Sequence, residues 1–375
     1  MDLSFNEEQS LLRDTIRSYI EKEFDEAHIG ELCTKNEYPE NFDTGLVQLG
    51  VIGVCFPHKF GGADLGPMEV AVVIEELSRY SMDLGMSFAL NILGGLTVLN
   101  FGTTEQQAGL LPRLMRGEIS FSMGYYEPFL FGAGRDGNAS LADGKLRNGK
   151  RPIYSEKRDP EKNHVLLPVI NGDNPMLIIL PQGLLGEPKQ IGILGRNILG
   201  LSQYEVEDIV GLEEAVTLEG DVLVQFVGNW MKYMNLMSCI GNMKTVIEKT
   251  IRYSKERVQF GKAIGTFQSI QHMIVDAKVK TDASRLYGYW VASLMTCGKQ
   301  NLLTKEITMA NCYVSKAFVD VVNTGLQVMG GYGYMKESSM ERYIRDARMA
   351  SYYVEDSMLQ KETIAEEIGG LSGGQ

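Results

Sequence analysis

The chain has 375 residues, 44% of them hydrophobic, enough to bury a large core spread over two or three structural units. A net charge of −12 and a pI near 5.0 exclude a general nucleic-acid binder, because neutralising phosphates needs clustered Lys and Arg. No run of about 18 uncharged apolar residues is read as a membrane span, and the acidic start MDLSFNEEQS is unlike a secretory or transit peptide, so the expected location is the cytoplasm.

In chain order, Leu12, Ile16, Tyr19 and Ile20 mark a first helix behind Asn6 and Gln9, which are spaced as a capping box. Further helices are expected around Pro67–Tyr80 and Glu105–Met115. From about Ile119 to Phe226 the texture changes to short apolar runs such as HVLLPVI and MLIILP, split by Gly, Asn, Asp and Pro, which predicts strands. All eleven prolines lie at or before Pro188, eight of them between Pro112 and Pro188, and the last 187 residues have none. Proline breaks helix interiors, so this half is free to form long helices. Met237, Ile240, Met243, Ile247 and Ile251 there trace one buried helical face. The expected organisation is a helical domain over 1–118, a small β-barrel or sandwich domain over 119–226, and a four-helix bundle over 227–375.

The five cysteines, Cys33, Cys55, Cys239, Cys297 and Cys312, lack CxxC spacing and are read as buried free thiols. The four histidines show no metal-ligand pairing. The tail LSGGQ is expected to be loose.

Two stretches carry the functional signal: RVQFGKAIGTFQSIQ, Arg257 to Gln271, and QVMGGYGYMKE, Gln327 to Glu337. Together they resemble the flavin-binding signatures of the acyl-CoA dehydrogenase family. The resemblance extends through FNEEQSLLRDTIRSYIEKE, LGVIGVCFPHKFGGADLGPMEVAVVIEELSR, FGTTEQQAGLLPRLMRGE and ERYIRDARM over nearly the whole chain. It implies FAD lying between the β domain and the bundle, with its adenine end reaching a neighbouring subunit. By that resemblance Arg257, Phe260, Phe267 and Gln268 serve the adenine and pyrophosphate end, and Gln327, Gly330 and Gly331 let the backbone approach closely. The chemistry suits the role, since a guanidinium pairs two phosphate oxygens and glycine removes an obstructing Cβ.

Toward the flavin ring the family usually has a loop like TEPGAGSD. Here the stretch is YEPFLFGAGRD, which makes Tyr126 and Arg135 the candidate contacts. The family segment NGTKxWIT corresponds to NGKRPIYS, where Ser155 supplies the hydroxyl and Ile153 takes the aromatic position, with Tyr154 next to it.

The reaction implied by the resemblance is removal of two hydrogens from adjacent carbons of an acyl thioester, a carboxylate taking the α-proton and flavin N5 the hydride. The family's base is the Glu of YEGT, and the text here is YYVEDSMLQ. Without a gap Val354 meets that Glu; with one inserted residue Glu355, Asp356 and Ser357 meet Glu, Gly and Thr. Glu355 is therefore the candidate base and Ser357 a candidate cofactor contact. The family's alternative base position falls on Met231, beside Lys232, and offers no carboxyl group.

Three readings stand. The first is a working flavoenzyme that takes an acyl-CoA or acyl-carrier-protein thioester, passes electrons to a carrier such as an electron-transfer flavoprotein, and assembles as a homotetramer, a dimer of dimers. The second is a non-catalytic partner subunit in a heteromer with a paralogue, supplying adenine-end contacts. The third is altered flavin chemistry on the same scaffold.

Overall fold

The computed structural model describes residues 5–125, 139–142, 145–147, 152–171, 174–205, 208–210, 212, 215–220, 222–297, 303–354 and 357–369. A helical unit comes first: α1 (Glu7–Glu23), α2 (Glu26–Lys35), α3 (Glu40–Gln48), α4 (Pro67–Leu77), α5 (Met82–Phe101) and α6 (Thr104–Met115). Strands follow: β1 (Ser120–Tyr125), β2 (Ala139–Ala142), β3 (Lys145–Arg147), β4 (Ile153–Glu156), β5 (Asn163–Asn171), β6 (Asn174–Pro181), β7 (Lys189–Ile191), β8 (Leu201–Tyr204), β9 (Asp208–Ile209) and β10 (Val216–Glu219). The last unit holds α7 (Leu223–Glu256), the hairpin β11 (Val258–Gln259) and β12 (Lys262–Ala263), α8 (Gln268–Thr296), α9 (Thr304–Met329), α10 (Met340–Ala350) and α11 (Ser357–Gly369).

The local signals read from the sequence act as expected at α1. Asn6 Oδ1 accepts from the Gln9 backbone N–H at 2.8 Å, and Gln9 Oε1 accepts from that of Asn6 at 3.1 Å. Two orphan donors of the first turn are thereby satisfied. On α7 the face Met237, Ile240, Met243 and Ile247 is buried and Ile251 half-buried. The helices of the first unit are fixed to the bundle through Glu75 of α4, which takes Lys244 Nζ at 2.5 Å, Arg285 Nε at 2.9 Å and the Tyr289 hydroxyl at 2.5 Å. Burial alone would raise the Glu75 pKa, but the Lys244 and Arg285 charges override it and hold the carboxyl below its usual value.

The strand unit is organised on β1, which pairs antiparallel with β4 and parallel with β5. The sheet runs β7-β8-β4-β1-β5-β2-β3-β9, with β6 pairing β5 and β10. Successive residues of β5 and β6 face opposite ways, as pleating requires. Leu166, Leu177 and Ile179 join the main core shared with the helices. Val165, Leu167, Ile178 and Leu180 build a second core inside the strand unit. Both faces are buried, which explains the unbroken apolar runs in the sequence.

Two expectations need correction. Among the described residues α5 is long and apolar enough to cross a membrane by length and composition, although no such stretch is evident on reading the sequence for uncharged apolar runs. Its Ser, Asn, Thr and Gly residues disguise the run. In the fold 83% of that window is buried against protein, so α5 is a core helix. Its packing is close: a Cβ on Gly94 would overlap the Phe121 ring of β1, and one on Gly95 the Phe56 ring. Asn91 of α5 also accepts a hydrogen bond from the Phe121 N–H at 2.8 Å. The second correction concerns the thiols, of which Cys239 is buried, Cys33, Cys55 and Cys312 half-buried, and Cys297 exposed. Cys297 is the cap residue just past the end of α8, and helix ends face solvent.

Candidate functional site

The adenine-end residues come together in an open groove of about 760 Å³ at the far end of the bundle. Arg257 ends α7, and its carbonyl accepts from the Ile264 N–H at 2.8 Å, turning the chain back across the hairpin. Its guanidinium is exposed, and no carboxylate among the described residues pairs with it. The hairpin tip is a two-residue loop with φ +52 at Phe260 and +80 at Gly261, the left-handed pair that such a loop requires. Phe260 is strained there, at a cost of about 1 kcal/mol, and is 91% exposed. A non-glycine in that conformation with its ring in solvent is poor economy for a free surface and good geometry for gripping something flat.

Phe267 lies 6.2 Å from Phe260, edge to face, with Lys262 Nζ 4.4 Å from its ring centre. It also precedes α8, whose first turn carries no side-chain cap and opens its N–H groups through Ser269 and Ile270 onto the groove. Uncapped amides at a helix start attract anions. The opposite wall is Gly330 and Gly331, with Tyr253 and Tyr332 stacked at 5.5 Å and 7°. Gln268 and Gln327 are exposed nearby but do not line the groove. The tyrosine pair escaped the sequence reading, because Tyr253 is set by helical phase on α7 and not by any motif.

Gly331 makes a clean test of this wall. A Cβ there would meet no atom within 4 Å, so alanine fits the fold, yet its methyl would stand in the groove. Gly331→Ala should leave the melting temperature unchanged and weaken ADP binding roughly ten-fold, the cost of about 1–3 kcal/mol that overpacking brings. Isothermal titration beside a thermal melt checks both halves.

Of the ring-end candidates, Ile153, Tyr154 and Ser155 lie within the described residues. Ser155 is fully buried with its hydroxyl 2.8 Å from that of Ser122, and Asn163 Nδ2 donates to Ser122 Oγ at 2.6 Å. Ser155 and Ile153 therefore face the interior of the strand unit, not the helices. One residue of register exchanges the two faces of a strand, and here Tyr154 and Glu156 hold the face turned toward the helices.

Glu156 is the centre of a closed cluster. Its Oε1 accepts from the Tyr353 hydroxyl at 2.7 Å and the Tyr125 hydroxyl at 2.9 Å, and its Oε2 from the Met123 N–H at 3.0 Å. The two hydroxyls are 2.8 Å apart. Burial pushes both tyrosine pKa values well up, which keeps them as donors. Arg196 lies 4.1 Å over the Tyr353 ring, and its Nε pairs with Asp83 Oδ1 at 3.0 Å. Asp346 accepts from the Arg196 N–H at 2.8 Å, holding that residue at φ +55. Glu156, Tyr125, Tyr353 and Arg196 are at most 2% exposed.

Asp346 has its pKa pushed up to about 6 by burial and then by the Asp83 charge. A raised carboxyl pKa means the fold favours the protonated form, so this contribution is complete below the unfolded value of 3.8 and is lost as pH rises through about 6. Asp346→Asn keeps an acceptor for Arg196 and removes the charge. It should gain about 1–3 kcal/mol over the parent at pH 7.5, and the gain should vanish near pH 4, read from urea midpoints.

Tyr126, Arg135 and Glu355 lie outside the described residues, and Ser357 is placed only as the first residue of α11. Val354, on the gapless alignment, is 3% exposed beside Tyr353.

The acyl-CoA dehydrogenase N-terminal domain matches residues 6–118, and the acyl-CoA dehydrogenase C-terminal domain matches residues 224–369. The chain belongs to the acyl-CoA dehydrogenase family. It is 29% identical to acryloyl-CoA reductase (NADH) of Anaerotignum propionicum, over 98% of this chain and 96% of that protein. It is also 29% identical to the caffeyl-CoA reductase-Etf complex subunit CarC of Acetobacterium woodii, over 96% and 98%. The structure of butyryl-CoA dehydrogenase from Megasphaera elsdenii superposes with a TM-score of 0.85 at 21% identity, covering 98% of this chain and all of that one.

FAD, the cofactor implied for an acyl-CoA dehydrogenase, fits this chain at one end. The groove offers an unpaired guanidinium, uncapped helix amides, aromatic faces and a glycine wall, which together suit an adenosine diphosphate. The segments expected at the other end of the cofactor fall largely outside the described residues.

Proposed function

We propose that the chain is a subunit of an FAD-dependent oxidoreductase acting on the Cα–Cβ bond of an acyl thioester, carried on CoA or on a carrier protein. The groove between Arg257, Phe267 and Gly330–Gly331 carries this reading. It would hold the adenosine diphosphate of FAD, which supplies the redox chemistry when bound. The names of the relatives favour reduction of an unsaturated thioester, or its reverse, and a separate electron-transfer flavoprotein as electron partner.

Within the chain Glu355 is our candidate to hold and move the α-proton. Its neighbours Tyr353 and Val354 are buried, and the Tyr353 hydroxyl is bonded to Glu156. A second reading is favoured by the same groove: the chain serves the enzyme by clasping cofactor while a neighbouring subunit does the chemistry.

The assembled enzyme, reduced or oxidised anaerobically with an acyl thioester and followed at the flavin absorbance, separates them. Loss of the spectral change in Glu355→Gln supports a base in this chain. An unchanged rate in that variant assigns proton transfer to the neighbour.

A further inference from the structure

We propose that Tyr332, backed by Tyr253, is the base-stacking platform of the groove, so that a purine nucleoside diphosphate lies with its base on the tyrosine pair and its phosphates on Arg257 and the start of α8. The inference rests on reading the groove as an adenosine diphosphate site, and it moves the base from Phe267 to residues that no motif marks.

The first support is the state of each ring. Phe267 is engaged twice already, with Lys262 Nζ 4.4 Å from its ring centre and Phe260 set at 89° to it, 6.2 Å away. Phe260 stands 91% exposed at the hairpin tip, with no ring stacked parallel to it among the described residues. Tyr332 differs from both. Tyr253 lies parallel to it, 7° between planes and 5.5 Å between centres, an offset stack, and 42% of Tyr332 is still exposed where the two rings line the groove. A flat base placed there extends a stack that is already built.

The second support is how firmly the platform is set before any ligand arrives. Gly330 ends α9 at φ +58 and ψ −137, a conformation that suits glycine, and a Cβ on Gly333 would come within 2.8 Å of the Leu326 carbonyl oxygen. The Tyr332 carbonyl accepts from the Met335 N–H at 3.0 Å. The loop is thus folded back on α9, with Tyr332 between its tight points. A ring ordered in advance costs the ligand less to engage.

The third support is spacing. Tyr253 precedes Arg257 by four residues, and its carbonyl accepts from the Arg257 N–H at 2.9 Å, so ring and guanidinium leave α7 one turn apart, about 6 Å at the helical rise. A ribose separates a base from its phosphates by a similar span. One nucleotide can therefore meet both.

The purified full-length chain, freed of nucleotide, tests this by calorimetric titration with ADP and with inorganic pyrophosphate, beside an ultraviolet difference spectrum of bound ADP. The parent is expected to bind ADP at least ten-fold more tightly than pyrophosphate, with adenine absorbance falling on binding as stacking requires. Tyr332→Ala should weaken ADP about ten-fold, leave pyrophosphate unchanged and abolish the spectral change. Tyr332→Phe should keep all three properties of the parent, and Phe260→Ala and Phe267→Ala should each shift ADP affinity less than three-fold. If Tyr332→Ala lowers the melting temperature, Tyr332→Leu, which keeps apolar bulk without a ring face, takes its place with the same losses expected. Parent-like ADP binding in the ring-less variant, equal affinity of the parent for ADP and pyrophosphate, or a ten-fold loss in either phenylalanine variant overturns the platform and leaves the groove reading intact. If neither ADP nor pyrophosphate binds the parent, the groove reading fails and the inference falls with it.

Discussion

Glu156→Ala should cost about 3–5 kcal/mol of stability, more than any single surface change to this chain. The substitution leaves the Met123 N–H and two tyrosine hydroxyls without their acceptor in a site that water does not reach. Each buried donor left unsatisfied costs about 1–3 kcal/mol, and the emptied space adds a cavity term. The two tyrosines can still bond each other, which sets the upper limit. Glu156→Gln keeps one acceptor oxygen but turns a donor toward one of the three donors, so a loss of about 1–2 kcal/mol is expected. Urea denaturation of both variants measures the difference. A loss below about 1 kcal/mol in Glu156→Ala would mean the cluster is not a fixed part of the fold.

Arg257→Ala should weaken ADP and FAD binding about 10- to 100-fold with the melting temperature unmoved. The side chain is exposed and makes no ion pair among the described residues, so folding does not depend on it. Charge-assisted bonds from a guanidinium to phosphate are worth about 1.5–3 kcal/mol, which sets the range. Arg257→Lys should recover only part of the affinity, because an ammonium cannot make the paired contact. Arg252→Ala, an exposed arginine on the same helix outside the groove, is the control and should bind as the parent does. Calorimetric titration with ADP reads all three.

How far the sequence carried depends on the kind of signal. α7 was legible because a proline-free stretch with a three- and four-residue apolar repeat allows little else. The groove was legible because Arg257, Phe267 and the Gly330–Gly331 pair are close to their motifs, and local chain geometry brings them together. β4 was not. Its four residues, Ile-Tyr-Ser-Glu, give no period long enough to tell which alternate pair faces the helices, and the pairing of Tyr125 with Tyr154 across β1 decides it. Glu156 went unnoticed for the same reason, since a glutamate at a strand end usually faces solvent. Tyr353 joined to Glu156 across 197 residues is a contact that no local pattern encodes.

The glycine pair of α5 has a mechanical consequence. With Gly94 and Gly95 allowing no gap between that helix and the rings of Phe121 and Phe56, and Asn91 gripping the Phe121 amide, the strand unit has no slack to swing on. Its unfolding is then coupled to that of the helical core, so calorimetry should show one transition for the two, and the Phe121 amide should rank among the slowest to exchange with deuterium.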